Sequence, residues 1–258
     1  MAYSASDNLL GWSYKHNGDW DKIYAEVKTK EPFDFTTTPL NTIKSKVYGK
    51  YVTLLDSDYP EYVRSRVTKA PFCMFYKGDI NLLNENNAIG IIAYKISTSQ
   101  AINKYSKYAL IQAIKQYAPH NHIYLQISDE YREIAVKTFR KYAGEGKKLI
   151  EFTGNSLKDY EVSTPSSSQS DLVISTKWDS NPSLEFARVY MFIRTCEKIV
   201  VTECPPAQTS VADVFINGGI SENKDVEVVP YPFFDTFHAN NDIIADGAFM
   251  FKQTKEGD

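Results

Sequence analysis

Short apolar runs alternate with helix-spaced stripes along most of this chain. The run Ala88-Ile89-Gly90-Ile91-Ile92-Ala93 lacks polar alternation, as expected of a strand buried on both faces. From Ala101 to Tyr117 the apolar positions Ile102, Tyr105, Ala109, Leu110, Ala113, Ile114 and Tyr117 fall three and four apart, with Lys104, Lys107 and Lys115 off that stripe. This spacing predicts a helix, capped by Ser97, Thr98 and Ser99. The unit then recurs. His122–Ser128 reads as a strand and Asp129–Tyr142 as a helix, with Tyr131, Ile134, Ala135, Thr138, Phe139 and Tyr142 on one side. A Gly144-Glu145-Gly146 turn leads into a strand over Lys148–Thr153. Further strands are predicted at Asp171–Thr176, Lys198–Cys204 and Asp225–Pro230, with helices at Leu184–Ile193 and Val211–Asn217. Alternating strands and helices of this kind predict an α/β fold, a Rossmann-like three-layer sheet domain.

The first 50 residues follow a different pattern. Trp20, Ile23, Tyr24 and Val27 have helical spacing, Glu31–Asn41 is a Pro- and Thr-rich loop, and Thr42–Tyr51 reads as one more short helix. The predicted organisation is a small helical N-terminal region over residues 1–54 and a Rossmann-like domain over 55–258, of which 55–85 is an extended lead-in.

Charge and composition narrow the function. The net charge of −3 conceals a split of +6 over residues 1–150 and −9 over residues 151–258, which permits a basic face for a polyanion on an acidic protein. Cys73, Cys196 and Cys204 are an odd number at scattered spacings, which fits a reducing compartment and supplies no zinc pattern. No apolar run approaches the ~20 residues of a membrane span, and a cytoplasmic protein without membrane contact is expected. His120-Asn121-His122 follows Pro119 and lacks metal-spaced partners, so it reads as a loop. Gly144-Glu145-Gly146-Lys147-Lys148 precedes a strand rather than joining a strand to a helix, and reads as a basic turn.

From Leu55 onward a series of motifs appears in order: Tyr59-Pro60, then Pro71 before the aromatic strand ending in Lys77-Gly78-Asp79, then the Gly90-containing strand. Late in the chain come a strand ending at Glu203, a strand ending at Pro230, and Asn240-Asn241-Asp242-Ile243-Ile244-Ala245-Asp246-Gly247-Ala248. Together these resemble the DprA/Smf family of DNA-processing proteins over about Leu55–Phe249. That family carries Gly-Ser/Thr-Arg after its first strand, Ser-Gly-x-Ala-x-Gly-Ile-Asp after its second and Arg-Asn-Arg in a late helix. Here those places read Ala93-Tyr94-Lys95, Ser128-Asp129-Glu130-Tyr131-Arg132-Glu133-Ile134 and Phe186-Ala187-Arg188, so the glycines are gone and Lys95, Arg132 and Arg188 keep the positive charge.

The resemblance implies a non-enzymatic, cofactor-free single-stranded DNA-binding protein that mediates a RecA-type recombinase and works as a homodimer. On this reading Lys95, Ser97, Arg132 and Arg188 hold phosphates, and Tyr94 or Tyr131 offers a stacking face. Each could equally be an ordinary exposed side chain. Related Rossmann-like phosphoribohydrolases need a Pro-Gly-Gly-x-Gly-Thr loop. The comparable Cys204-Pro205-Pro206-Ala207-Gln208-Thr209-Ser210 lacks its glycines, and no such activity is expected. Two other readings stay open: a sensor that binds a nucleotide-derived ligand in the same cleft, and a ligand-free dimeric scaffold.

Overall fold

The computed structural model describes residues 3–85, 87–95, 99–179, 186–204, 224–231 and 239–252. Its centre is a nine-stranded mixed sheet in the order β1-β2-β6-β5-β4-β3-β7-β8-β9. The strands are β1 (Lys50–Thr53), β2 (Cys73–Gly78), β3 (Ala88–Ala93), β4 (His122–Ile127), β5 (Leu149–Phe152), β6 (Leu172–Ser175), β7 (Lys198–Glu203), β8 (Asp225–Val228) and β9 (Phe249–Met250). From β6 to β9 across the sheet all pairs are parallel, while β2 runs antiparallel to both β1 and β6.

The helices are α1 (Ala5–Lys15), α2 (Trp20–Thr29), α3 (Leu40–Ser45), α4 (Glu61–Arg66), α5 (Gln100–Tyr117), α6 (Asp129–Tyr142), α7 (Leu157–Ser163), α8 (Phe186–Thr195) and α9 (Asn240–Ala245). The alternation of side chains along each strand divides them between two cores. Ile89, Ile91 and Ala93 of β3 join Ile123 and Leu125 of β4 under Leu110, Ala113 and Ile114 of α5 and Tyr131, Ala135 and Phe139 of α6. Ala88 and Ile92, with Tyr124, Ile150, Phe152 and Ile174, face the other way onto Val189, Phe192 and Ile193 of α8 and Val63 of α4. The three-layer α/β/α arrangement predicted from the sequence is therefore present.

Gly90 is where the α8 layer comes closest. A Cβ there would lie 2.7 Å from both Cys196 Sγ and Phe192 Cζ, so only glycine admits the helix at this distance from β3.

The N-terminal helices share a third core with the sheet. Leu10, Trp12, Ile23 and Ile43 pack with Cys73 and Phe75 of β2, Val173 of β6 and Leu157 and Tyr160 of α7. The helix expected over Thr42–Tyr51 is instead α3, a turn, and β1, which pairs with β2 through Lys50↔Tyr76 to Thr53↔Cys73. The tight turn follows from Gly49, whose φ of +75° ends any helical run. The helix expected over Val211–Asn217 lies outside the described residues.

Candidate functional site

Four strand ends and two helices converge on a cleft of about 400 Å³. Tyr94 follows β3; Gln126, Ile127, Ser128, Asp129 and Glu130 span the end of β4 and the start of α6; Phe152, Thr153, Gly154 and Asn155 leave β5; Lys177 follows β6; and Arg188 comes from α8. The carboxyl ends of parallel strands are where open α/β sheets bind ligands, because the loops there diverge and the following helices direct their N-termini inward. The volume suits one small molecule or one nucleotide.

The walls are held by a relay of hydrogen bonds. Asn155 N–H donates to Thr153 Oγ1 at 3.1 Å, Ser175 Oγ donates to the Asn155 carbonyl at 2.7 Å, and Lys177 N–H donates to Ser175 Oγ at 3.1 Å. This locks the β5 turn to the segment after β6. The N-terminal helices brace that segment in turn: Trp178 Nε1 donates to Ser13 Oγ at 3.0 Å, and Trp178 N–H donates to Asn17 Oδ1 at 2.8 Å. The Trp178 ring also sits edge-on against Phe75 and Tyr14. The small N-terminal helices thus fix one wall of the cleft.

Two cations occupy that wall region. Lys177 is 6% exposed and Arg188 7%, unusually buried for long charged side chains. Arg188 Nη1 donates to the Phe152 carbonyl at 2.8 Å, which anchors the guanidinium across the end of β5. Tyr94 stands beside it. Burial pushes the Tyr94 hydroxyl above its ordinary pKa, and the nearby Arg188 charge pulls it part of the way back.

Gln126 is the exceptional residue in the cleft. It continues the α8-facing side of β4 after Tyr124 and is 1% exposed. The Tyr94 hydroxyl lies close enough for a weak polar interaction that favours its ionised form. Neither Nε2 nor Oε1 of Gln126 nevertheless has a partner at hydrogen-bond geometry. A buried amide left without partners costs about 1–3 kcal/mol per group, so the position carries a stability penalty that packing alone does not explain.

No protein-family model matches the chain, and neither does any curated protein. Solved structures do. DNA processing protein A (DprA) from Streptococcus pneumoniae superposes with a TM-score of 0.55 at 18% identity, covering 95% of this chain and 88% of that one. DprA from Helicobacter pylori, whose structure was described for its single-stranded DNA-binding mode, superposes with a TM-score of 0.53 at 15% identity, covering 79% and 91%. The chain has a DprA-like fold.

Within this DprA-like fold the residues singled out from the sequence go to different places. Arg188 and Tyr94 line the cleft. Lys95 sits at its rim, its backbone N–H donating to Ser128 Oγ at 2.8 Å and its Nζ 3.5 Å from Glu130. Ser97 lies outside the described residues, as does Thr98; Ser99 is the N-cap of α5, without a side-chain cap bond. Arg132 is not brought into the cleft. It is 3% exposed, and its Nε, Nη1 and Nη2 bond Glu151 at 2.9 Å, Thr164 Oγ1 at 2.9 Å and Asp129 at 2.6 Å. Burial alone would loosen the guanidinium's proton, but Glu151 and Asp129 outweigh it and raise the pKa. Tyr131 is fully buried, with its hydroxyl donating to Glu203 at 2.5 Å, and presents no ring face for stacking.

Sequence reasoning passed over Gln126 and Lys177. The signal for Gln126 was the amide inside a largely apolar strand, HIYLQIS. Lys177 carried none, because only the fold of β6 against β5 brings it to the site. Among the described residues no group of His, Cys, Asp and Glu side chains could hold a metal ion, and no helix is long and apolar enough to cross a membrane.

Proposed function

We propose that this chain binds single-stranded DNA at the cleft over the carboxyl ends of β3 to β6 and serves in DNA processing. The observation that carries the reading is the pair of buried cations, Arg188 and Lys177, set in one cleft beside Tyr94. Cations that neutralise phosphates and aromatic faces that accept bases are the two components of a single-strand site. The single-stranded DNA named for the Helicobacter pylori protein of the same fold supports the choice of ligand.

The finer role, mediation of a RecA-type recombinase by a cytoplasmic homodimer, belongs to the same proposal. It predicts that the chain accelerates recombinase loading on single strands and that it sediments as a dimer. The chain acts by binding rather than catalysis. In support, all three cysteines are buried, and burial pushes the Cys204 thiol up to about 12, far from a reactive thiolate.

Fluorescence anisotropy of a labelled oligo-dT, with a duplex control, tests the reading at low and near-physiological salt. Salt-sensitive binding that prefers the single strand is expected. Absence of binding at low salt would refute it. In that event a rise in melting temperature with mononucleotides would favour the nucleotide-sensor reading, which the cleft volume also fits.

A further inference from the structure

The unpartnered amide in the cleft defines what part of the ligand goes there. Gln126 offers an acceptor, Oε1, and a donor, Nε2, side by side on the α8-facing side of β4, both buried and neither at hydrogen-bond geometry to a partner, with only the Tyr94 hydroxyl nearby. A phosphate can satisfy only the donor. The surroundings also disfavour a phosphate at this spot: Asp129 and Glu130 line the same end of the cleft at the start of α6, whereas Arg188 and Lys177 come from α8 and the segment after β6. Asp129 is held in place by Arg132 at 2.6 Å and by Asn155 at 3.3 Å.

A group with one donor next to one acceptor is required, small enough for a cleft of about 400 Å³. A nucleobase meets both conditions. The Watson–Crick edge of every base carries an adjacent donor and acceptor: the amino group and N1 of adenine, the amino group and N3 of cytosine, N1–H and O6 of guanine, N3–H and O4 of thymine. The terminal torsion of glutamine is broad and two-fold, so the amide can present its donor and acceptor in either sense. One amide can therefore meet any of the four.

We propose that Gln126 pairs with the edge of one unstacked base beside Tyr94, with the flanking phosphates directed to Arg188 and Lys177. The site requires a base and is indifferent to which one. This rests on the single-stranded DNA reading above and assigns that site its specificity-determining residue.

The test compares labelled oligo-dT, oligo-dA and oligo-dC with an abasic oligonucleotide of equal length, using the full chain and its Gln126→Leu and Gln126→Glu variants. For the natural chain the three base-bearing strands should bind within about threefold of one another and roughly tenfold or more tighter than the abasic strand, the loss expected when a site built to hydrogen-bond its ligand meets one without the group. Gln126→Leu should bring oligo-dT close to the abasic level while the slope of log K against log salt stays unchanged, because no charge is lost. Its melting temperature should stay level or rise, since an apolar side chain of similar shape removes an unsatisfied group. Gln126→Glu, which lacks the donor, should lose the base preference as well. Equal binding of base-bearing and abasic strands by the natural chain, or a base preference that survives in Gln126→Leu, would overturn the inference while leaving single-stranded DNA binding standing. No binding of any strand by the natural chain would overturn both.

Discussion

Glu151→Gln tests whether Arg132 is a structural ion-pair partner rather than a ligand group. Glu151 is 1% exposed; its Oε1 accepts from Arg132 Nε at 2.9 Å, and its Oε2 accepts from Tyr160 Oη at 2.9 Å and from Ser170 Oγ at 3.3 Å. The amide keeps the shape but removes the buried charge opposite the guanidinium, which also stacks over the Tyr160 ring at 4.4 Å. Breaking a buried pair by neutralising one partner costs about 3–5 kcal/mol. The lower end applies here, because Asp129 remains 2.6 Å from Nη2 as a second counter-charge. For a chain of this size about 3 kcal/mol corresponds to a melting temperature lower by roughly 6–12 °C. Circular dichroism melts at neutral pH measure it. Adding Arg132→Met should cost less than the two single losses combined, because the second change removes the stranded charge. DNA affinity should stay within about twofold, as neither residue lines the cleft. An unchanged melting temperature would refute the structural assignment, and so would weakened binding with the melting temperature intact.

Other consequences are testable with equal directness. Gly90→Ala drives a methyl to 2.7 Å from Cys196 Sγ and Phe192 Cζ, both fully buried, and should cost about 1–3 kcal/mol by denaturant unfolding; a neutral result would contradict the packing of α8 on β3. His122 accepts the Lys148 N–H on Nδ1 at 3.1 Å with Nε2 2.7 Å from Glu85, and burial holds its pKa below the ordinary 6.5. The unfolded chain therefore takes up this proton first, so stability should fall as pH drops below 6.5, and His122→Asn should show a smaller fall; parallel profiles for the two chains would contradict it. Arg188→Ala should weaken single-strand binding and lower the slope of log K against log salt by about 1, whereas Arg132→Met should leave that slope alone.

The sheet was legible in the sequence where elements were long or strongly patterned. α6 occupies the predicted Asp129–Tyr142, and β3 the run Ala88–Ala93, because a buried parallel strand and an amphipathic helix each carry their own signature. β1 was read as helix because four residues, Lys50–Thr53, become a strand only by pairing with β2. α7 escaped notice for a similar reason: seven residues capped by Ser156 carry too little periodicity. The site divides along the same line. Arg188 and Tyr94 could be placed at strand and helix ends from local pattern. Arg132 could not be assigned correctly, since the carboxylate that claims it is on β5, a strand that only the folded sheet brings beneath α6. Gln126 was visible as a residue but not as an unpaired group, a property that exists only once its neighbours are in position.

On the function proposed above, a single strand enters the cleft over β3 to β6. Photocrosslinking with an oligo-dT in which single thymidines are replaced by 5-iododeoxyuridine, followed by peptide mapping, tests it most directly. Crosslinks to Tyr94, which lines the cleft, are expected, together with their loss in Arg188→Ala. Crosslinks confined to a ring elsewhere, such as the exposed Tyr108 of α5, would place the strand on another face and contradict it.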